Sequence, residues 1–279
     1  MLGVHLRSML FILYLLMVGM VPLAILWGQM GAIAGLVLCS SFVLFIRISG
    51  AERIARRMGA QFLPKAQAPH IYATIEEYCR RLNMPVPKIA VIDSYAINFA
   101  VFGFSHTGAW LAISKGAIEK LERSEISALL ALELVYLKGG EVLCGTWLSQ
   151  FLSALDRLAA LGRRPDRYRQ RTFQHWFRKL MIWPLGLFPI LILRPRRDGN
   201  KWDLQSIKIS RKPRALAEGL RLMQAYRDRV PLCSPFSTRH LFLASPPSAD
   251  LVENIFFEGG ELPVRIRALE SLNTLVTLS

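Results

Sequence analysis

The sequence predicts a mainly helical α+β protein in which a membrane helix hairpin precedes a domain with one small sheet. Two uncharged apolar runs, at residues 9–27 and 32–46, follow each other closely, and the first is long enough to cross a hydrocarbon core of about 30 Å as a helix. A β-branched run at 86–93 and a pair of short apolar runs within 98–114 predict strands. Helical periodicity dominates the rest of the chain.

The composition supports a membrane location. The chain has 279 residues, of which 52% are hydrophobic, its mean hydropathy is +0.31 and its formal net charge is +15. Basic residues beside apolar spans are typical of the cytoplasmic surface of a membrane, so membrane lipids are expected partners. Nucleic acid is not an expected partner, because no helix-turn-helix, RNP or zinc-finger pattern accompanies the charge. Four scattered cysteines without a CxxC pair argue against a disulfide framework or a thiolate zinc site.

The two apolar runs are joined by the short turn "GQMG" at 28–31, so they should form a hairpin at 1–50. Arginines flank this hairpin on both sides and place its two ends, and the domain at 51–279, in the cytoplasm by the positive-inside rule. These arginines are Arg7, Arg47, Arg53, Arg56 and Arg57. A cleaved signal peptide with its cleavage site at 32–34 is the alternative, but the first run is long for one and a second span follows at once.

Two further apolar runs, at 142–155 and 180–193, are each shorter than a typical span. The stretch "RRPDRYRQRTFQHWFRK" at 163–179 separates them and is too basic to cross the membrane readily. We therefore expect two spans and a basic, membrane-associated insertion at about 142–200. Four spans are the alternative.

The predicted elements of the domain follow in order along the chain. An amphipathic helix at 68–84 leads into the strand at 86–93, and the runs "NFAVFG" and "AWLAIS" form a strand pair. A long apolar helix then begins near Ser124, which is a candidate N-cap, with Glu125 in its first turn. Two more helices are predicted at 212–228 and 263–275.

These blocks resemble a known family. Three segments are similar, in sequence and in spacing, to blocks of the HtpX-like integral-membrane zinc metallopeptidases, which are relatives of the CAAX prenyl endopeptidases. They are "AERIARRMGAQ" (51–61), "APHIYATIEEYCRRLNMPVPKIAVID" (68–93) and "NFAVFG…AWLAISKGAIEKLERSEISALLALE" (98–133). The resemblance implies a zincin-like metallopeptidase domain behind the hairpin. It also implies a bacterial inner-membrane protein whose main domain is cytoplasmic.

The metal-binding motif of that family is altered. In the family, HExxH supplies two zinc-binding imidazoles and a glutamate that acts as general base. Here the matching pentapeptide is "LELVY", so Leu132 and Tyr136 stand at the imidazole positions and Glu133 stands at the base position. The family's third ligand is a glutamate, and the segment "PRRDGNKWD" at 195–203 places Gly199 at that position. The resemblance therefore predicts no bound zinc, no metal site and an inactive Glu133.

Other features of the site stay open. The segment "EGGELPVRIRALESL" at 258–272 keeps an arginine and an isoleucine of a C-terminal family element but lacks its His-Pro-Pro, and "SPPS" at 245–248 is an alternative match. None of the five histidines lies three or four residues from another candidate metal ligand on the helix of Glu133, so the histidines do not rebuild a metal site there. Without a metal, a carboxylate among apolar residues needs a partner or a proton, and Arg196 is one candidate partner for Glu133.

The expected function is binding without hydrolysis. Peptidases of this kind hold an extended substrate against an edge strand, and the resemblance assigns that edge to Ala109, Trp110, Leu111, Ala112, Ile113 and Ser114. We expect a membrane-anchored pseudopeptidase that binds a polypeptide or protein partner, such as an active protease or a membrane complex. One alternative is an active membrane metalloendopeptidase with an atypical or partner-completed metal site. Another is a lipid-surface protein that acts through the basic region 157–214.

Overall fold

The computed structural model describes residues 2–161, 187–194, 199–227, 229–230, 232–245 and 262–277. The first element is a long helix, α1 (Leu2–Arg57), with a break at Trp27 (φ −129°, ψ 18°) and Gly28 (φ 59°, ψ −141°). Gly28 lies in the left-handed region, which glycine enters without steric cost. The break therefore divides α1 into two arms at the predicted turn.

The two arms pack closely against each other at small residues. A Cβ atom on Gly35 would lie 2.9 Å from the carbonyl oxygen of Gly19, and a Cβ atom on Gly19 would lie 2.0 Å from the sulfur of Cys39. Glycine at such positions lets helix backbones approach, as in pairs of membrane helices. The predicted hairpin is confirmed. Its helix runs on through Arg57, past the domain boundary predicted at residue 50.

Among the described residues, α1 is the one helix whose length and composition suit a membrane span. The apolar run at 142–155 lies within α5 (Glu141–Leu161), whose side chains at Cys144, Trp147 and Leu148 are buried. The run at 180–193 is described only from residue 187 onwards, as α6 (Leu187–Leu193). About half of the predicted basic insertion, at residues 162–186 and 195–198, lies outside the described residues.

The sheet has four short strands: β1 (Ala60–Phe62), β2 (Lys88–Ile92), β3 (Phe99–Phe102) and β4 (Trp110–Ser114). Their order is β1-β2-β4-β3. Strand β4 pairs in parallel with β2 and antiparallel with β3, while β1 pairs antiparallel with β2. The prediction that residues 109–114 form an edge strand is therefore wrong, because β4 has a neighbour on each side. The fold class, mainly helical α+β with a small sheet after the hairpin, is confirmed.

The remaining helices pack against the sheet or against α4 and one another. They are α2 (Pro69–Leu82), α3 (Lys115–Lys120), α4 (Arg123–Gly139), α7 (Gly199–Ser210), α8 (Pro213–Arg227) and α9 (Leu262–Thr277). The N-cap of α4 is Glu122 rather than Ser124. The Glu122 side chain and Glu125 form a reciprocal capping box, which satisfies two amide groups where a serine would satisfy one.

Three buried clusters hold these elements together. The largest surrounds α4, which packs against α2, α7 and α8 and one face of the sheet. A second joins the end of α1 to the other face of the sheet. The third joins the hairpin to α5 through Phe11 and Trp147, whose ring centroids lie 5.8 Å apart. The hairpin and the domain thus share a core at the base of the arms.

Candidate functional site

Helix α4 carries the candidate catalytic segment through the centre of the domain. All of its residues from Glu125 to Leu137 are buried, and Glu133 has an exposed fraction of 0%. The helix ends at Gly140, whose φ of 82° forms a left-handed C-cap. Arg196, the predicted partner of Glu133, lies outside the described residues, so that pairing stays a prediction.

Tyr136 is part of the packing between α4 and α7. Its ring meets the ring of Trp202 edge-on, with a centroid separation of 5.7 Å and an interplanar angle of 88°. The indole of Trp202 occupies the space beside Gly139, where a Cβ atom would lie 2.0 Å from its Cη2 atom. Leu132, one turn before Tyr136, is 2% exposed. Both predicted degenerate metal positions on α4 therefore hold core side chains.

The third degenerate position, Gly199, lies at the first residue of α7, beside Arg265 of α9. A Cβ atom on Gly199 would lie 2.4 Å from Cδ and 2.7 Å from Nε of Arg265. The same guanidinium donates two hydrogen bonds to Asp203, one of 2.9 Å from Nε and one of 2.6 Å from Nη2. Arg265 and Asp203 are 6% and 2% exposed. The arginine side chain thus fills the space in front of Gly199.

These residues do not fit a zinc ion. Leucine and glycine side chains offer no lone pair, and a tyrosine phenol, with a reference pKa near 10, is a poor substitute for a neutral imidazole. The Arg265 side chain lies against the third position and leaves no room there for a ligand side chain. No three His, Cys, Asp or Glu residues of the described part of the chain form a cluster that could hold a metal. The sequence pattern did not indicate the contact of Arg265 with Gly199.

The outer side of β3 is covered by the chain itself. The amide of Leu243 donates to the carbonyl oxygen of Phe99 at 2.8 Å, and Phe242 forms a single antiparallel bridge with Ala100. The Asn98 carboxamide donates to the Ala244 carbonyl oxygen at 2.6 Å and accepts from the Ala244 amide at 3.1 Å. We call residues 242–244 the strap. A peptide could not pair along this edge without displacing it.

The open edge of the sheet is β1. The Leu63 amide donates to Ile89 at 3.0 Å, and hydrogen-bonded pairs alternate along an antiparallel ladder. The backbone groups of Ala60 and Phe62 therefore face away from β2. No described strand pairs with this side of β1, and the Phe62 side chain is 60% exposed. The sequence did not indicate this edge, because a strand of three residues has no recognisable alternation.

The structure is thus an apolar helix hairpin followed by a mainly helical domain with a small sheet, in which core side chains stand at positions 132 and 136 and a basic side chain lies against position 199. No family model matches the chain. Proteins named protease HtpX homolog match it over most of its length. The match with the protein from Salinibacter ruber has 25% identity and covers 92% of this chain and 95% of that protein. The match with the protein from Aquifex aeolicus has 27% identity and covers 78% of this chain and 78% of that protein. The chain is thus similar over most of its length to proteins named protease HtpX homolog, as its sequence blocks predict.

Two further matches give the range of similarity. The protease HtpX homolog of Thermodesulfovibrio yellowstonii is 22% identical over 89% of this chain and 91% of its own. Among solved structures, the crystal structure of S. mikatae Ste24p matches with a TM-score of 0.49 and 15% identity, covering 95% of this chain and 65% of that one.

Proposed function

We propose that this chain is a membrane-anchored pseudopeptidase that binds a polypeptide or protein partner without cleaving it. The observation that supports this is the pairing of Arg265 with Asp203 in front of Gly199, at the position where the relatives' motif has a metal ligand. A hydrolytic zinc site needs three protein ligands and an activated water. Leu132, Tyr136 and Gly199 supply none of the usual ligands.

The retained part of such a protein is its capacity to bind an extended chain. An added strand gains affinity from backbone hydrogen bonds, which need no metal. We assign this binding to β1, because the backbone of Ala60 and Phe62 faces the open side of the sheet. The expected partner is an extended segment of a membrane-associated protein, such as an active protease or a membrane complex.

The membrane arrangement belongs to the same proposal. We place the protein in a bacterial inner membrane, with both ends of the hairpin and the domain in the cytoplasm, because arginines flank the two arms. Helix α6 packs against the hairpin, with the Tyr14 and Phe188 rings 5.1 Å apart. This contact supports an insertion that lies along the membrane.

Peptide binding by β1 is tested with two substitutions at one position. Proline at position 62 removes an outward-facing N–H group and is tolerated on an edge strand, whereas alanine keeps that N–H group and removes only the side chain. We expect Phe62→Pro to abolish the binding of a fluorescent, unfolded polypeptide to the detergent-purified chain, as measured by anisotropy. Phe62→Ala should weaken it only in part. Equal binding by Phe62→Pro and the unmodified chain would exclude this edge.

The alternative, an active metalloendopeptidase with an atypical or partner-completed site, makes a different prediction. It requires hydrolysis that depends on Glu133, the one residue of the family's motif that this chain keeps. We expect no cleavage of the same polypeptide by the unmodified chain, and no difference in the Glu133→Gln variant. Cleavage that Glu133→Gln abolishes would favour the alternative.

A further inference from the structure

A cavity of about 270 Å³ lies where the base of the hairpin meets the domain. Four parts of the chain form its walls: the first turns of α1, the end of the second arm, the loop between β3 and β4, and the junction of α4 with α5. This cavity is distinct from the candidate site around Glu133.

The polar lining of the cavity is basic. It consists chiefly of His5, Arg47, His106 and Lys138, and no aspartate or glutamate is among the lining residues that the structure describes. Lys138 donates a hydrogen bond of 3.3 Å to the carbonyl oxygen of Asn83, which leaves further donors on its ammonium group. Apolar side chains, among them Val4 and Phe104, form much of the remaining wall. A ligand that fits must combine negative charge with apolar surface.

The position of these residues places the cavity at a membrane surface. His5 lies one turn before the first apolar run, and Arg47 directly follows the second. Because the two arms are antiparallel, both residues lie at the same end of the hairpin. Basic pockets at the cytoplasmic ends of membrane helices are suited to anionic lipid headgroups.

The walls are held in place by contacts across the hairpin base. The Arg7 guanidinium donates to both carboxylate oxygens of Glu141, at 2.6 and 2.5 Å, so the acidic residue at the start of α5 is already paired. Gln150 of α5 donates to the carbonyl oxygen of Gly50 at 2.8 Å. The Phe104 ring packs over Gly50, where a Cβ atom would lie 2.7 Å from it. The cavity is therefore preformed.

We propose that this basic cavity binds the phosphate headgroup of an anionic glycerophospholipid, whose acyl chains lie along the hairpin. Its volume is slightly below the range of about 300–1,000 Å³ for sites that enclose a whole drug-sized ligand. A headgroup fits this space, while the chains remain in the bilayer against the exposed apolar side chains of the arms. The lipid would fix the domain against the membrane surface at the hairpin base.

The test is a titration of the full-length, detergent-purified chain with phosphatidylglycerol, read by native mass spectrometry. We expect saturable binding of one lipid that phosphatidylcholine with the same acyl chains does not displace. The double variant Arg47→Gln/Lys138→Gln should bind at least about tenfold more weakly, since each basic residue near a membrane surface contributes about 1 kcal/mol. His5→Gln/His106→Gln, which keeps both permanent charges, should weaken binding less.

The matched control removes two charges elsewhere. Arg80→Gln/Lys120→Gln changes two exposed residues outside the cavity, and it should bind phosphatidylglycerol like the unmodified chain. The proposal would be overturned if Arg47→Gln/Lys138→Gln and Arg80→Gln/Lys120→Gln weakened lipid binding equally, or if neither changed it. Equal binding of phosphatidylcholine would also overturn it. Displacement of the lipid by an excess of inorganic phosphate would show that a soluble phosphate is the ligand instead. Melting temperatures in neutral detergent confirm that all variants are folded.

Discussion

The guanidinium of Arg265 binds both carboxylate oxygens of Asp203 while its methylene groups lie against Gly199. This arrangement links α9 to α7 through a buried ion pair beside Gly199. Only glycine leaves enough room there for the arginine. A glutamate at position 199 would therefore collide with the Arg265 side chain.

The ion pair between Arg265 and Asp203 should be strongly coupled. Asp203→Asn or Arg265→Met alone leaves one buried group without its partner, and each should lower the free energy of unfolding by about 3–5 kcal/mol. The double variant should be less destabilised than the sum of the two, as measured by thermal unfolding in detergent.

An exposed ion pair that also involves α9 is the control. Arg221 pairs with Glu270 of α9, and their side chains are 56% and 43% exposed. Glu270→Gln should change the stability by less than about 1 kcal/mol. If Asp203→Asn had as small an effect as Glu270→Gln, the buried pair would not hold α7 and α9 together.

The contact between Trp202 and Gly139 predicts an unusual response to alanine. Alanine normally stabilises a helix relative to glycine by about 1 kcal/mol. At position 139, however, the added methyl group would collide with the indole, so Gly139→Ala should destabilise the protein by about 1–3 kcal/mol. In the control Gly108→Ala, the added methyl group would approach only Ser105 Oγ, at 3.4 Å. A stabilising Gly139→Ala substitution would contradict the described packing of α7 on α4.

The attachment of the strap to the sheet should depend on the Asn98 side chain. Asn98→Ala removes two hydrogen bonds to Ala244 and one of 2.9 Å to the Phe99 amide, at a cost of about 1–3 kcal/mol. Hydrogen–deuterium exchange at Leu243 and Ala244 should therefore become faster. Ser94→Ala, which removes one local hydrogen bond to Ala96, should leave exchange in the strap unchanged. Unchanged exchange in Asn98→Ala would show that other contacts hold the strap.

Two cysteines should differ in reactivity. Burial raises the pKa of the Cys79 thiol from the ordinary 9.0 to about 11, and this side chain is 1% exposed, whereas Cys233 is exposed. At pH 8 a pKa of about 11 leaves only about one Cys79 thiol in a thousand as thiolate, and burial also limits access to it. Iodoacetamide should therefore modify the exposed Cys233 much faster than Cys79, as measured by peptide mass spectrometry. Equal rates would mean that the Cys79 side chain, on α2, is accessible to the reagent.

The elements with strong local signals could be predicted from the sequence. The hairpin follows from two uncharged runs and a short turn, and α2 and β2 follow from periodicity and β-branched residues. The N-cap of α4 could not be fixed in this way, since Glu122 and Ser124 are both plausible caps. The capping box with Glu125 decides between them.

Long-range pairing could not be predicted. The resemblance predicts β4 at an edge, whereas the structure places it between β2 and β3. The order of strands in a sheet depends on contacts between segments that are distant in sequence, and the residue pattern within one strand does not encode these contacts. The sequence alone predicts that Leu132, Tyr136 and Gly199 stand at ligand positions. It does not predict the contact of Gly199 with Arg265, which lies 66 residues further along the chain and reaches Gly199 only through the packing of α9 against α7 and α8.

The zinc content of the purified chain tests the central claim most directly. The full-length protein is extracted in mild detergent, dialysed against a zinc-containing buffer and then against a metal-free one, and measured by inductively coupled plasma mass spectrometry beside an active HtpX relative treated in the same way. Our account predicts a zinc content far below one ion per chain, whereas the relative retains its metal. One tightly held zinc per chain would contradict it.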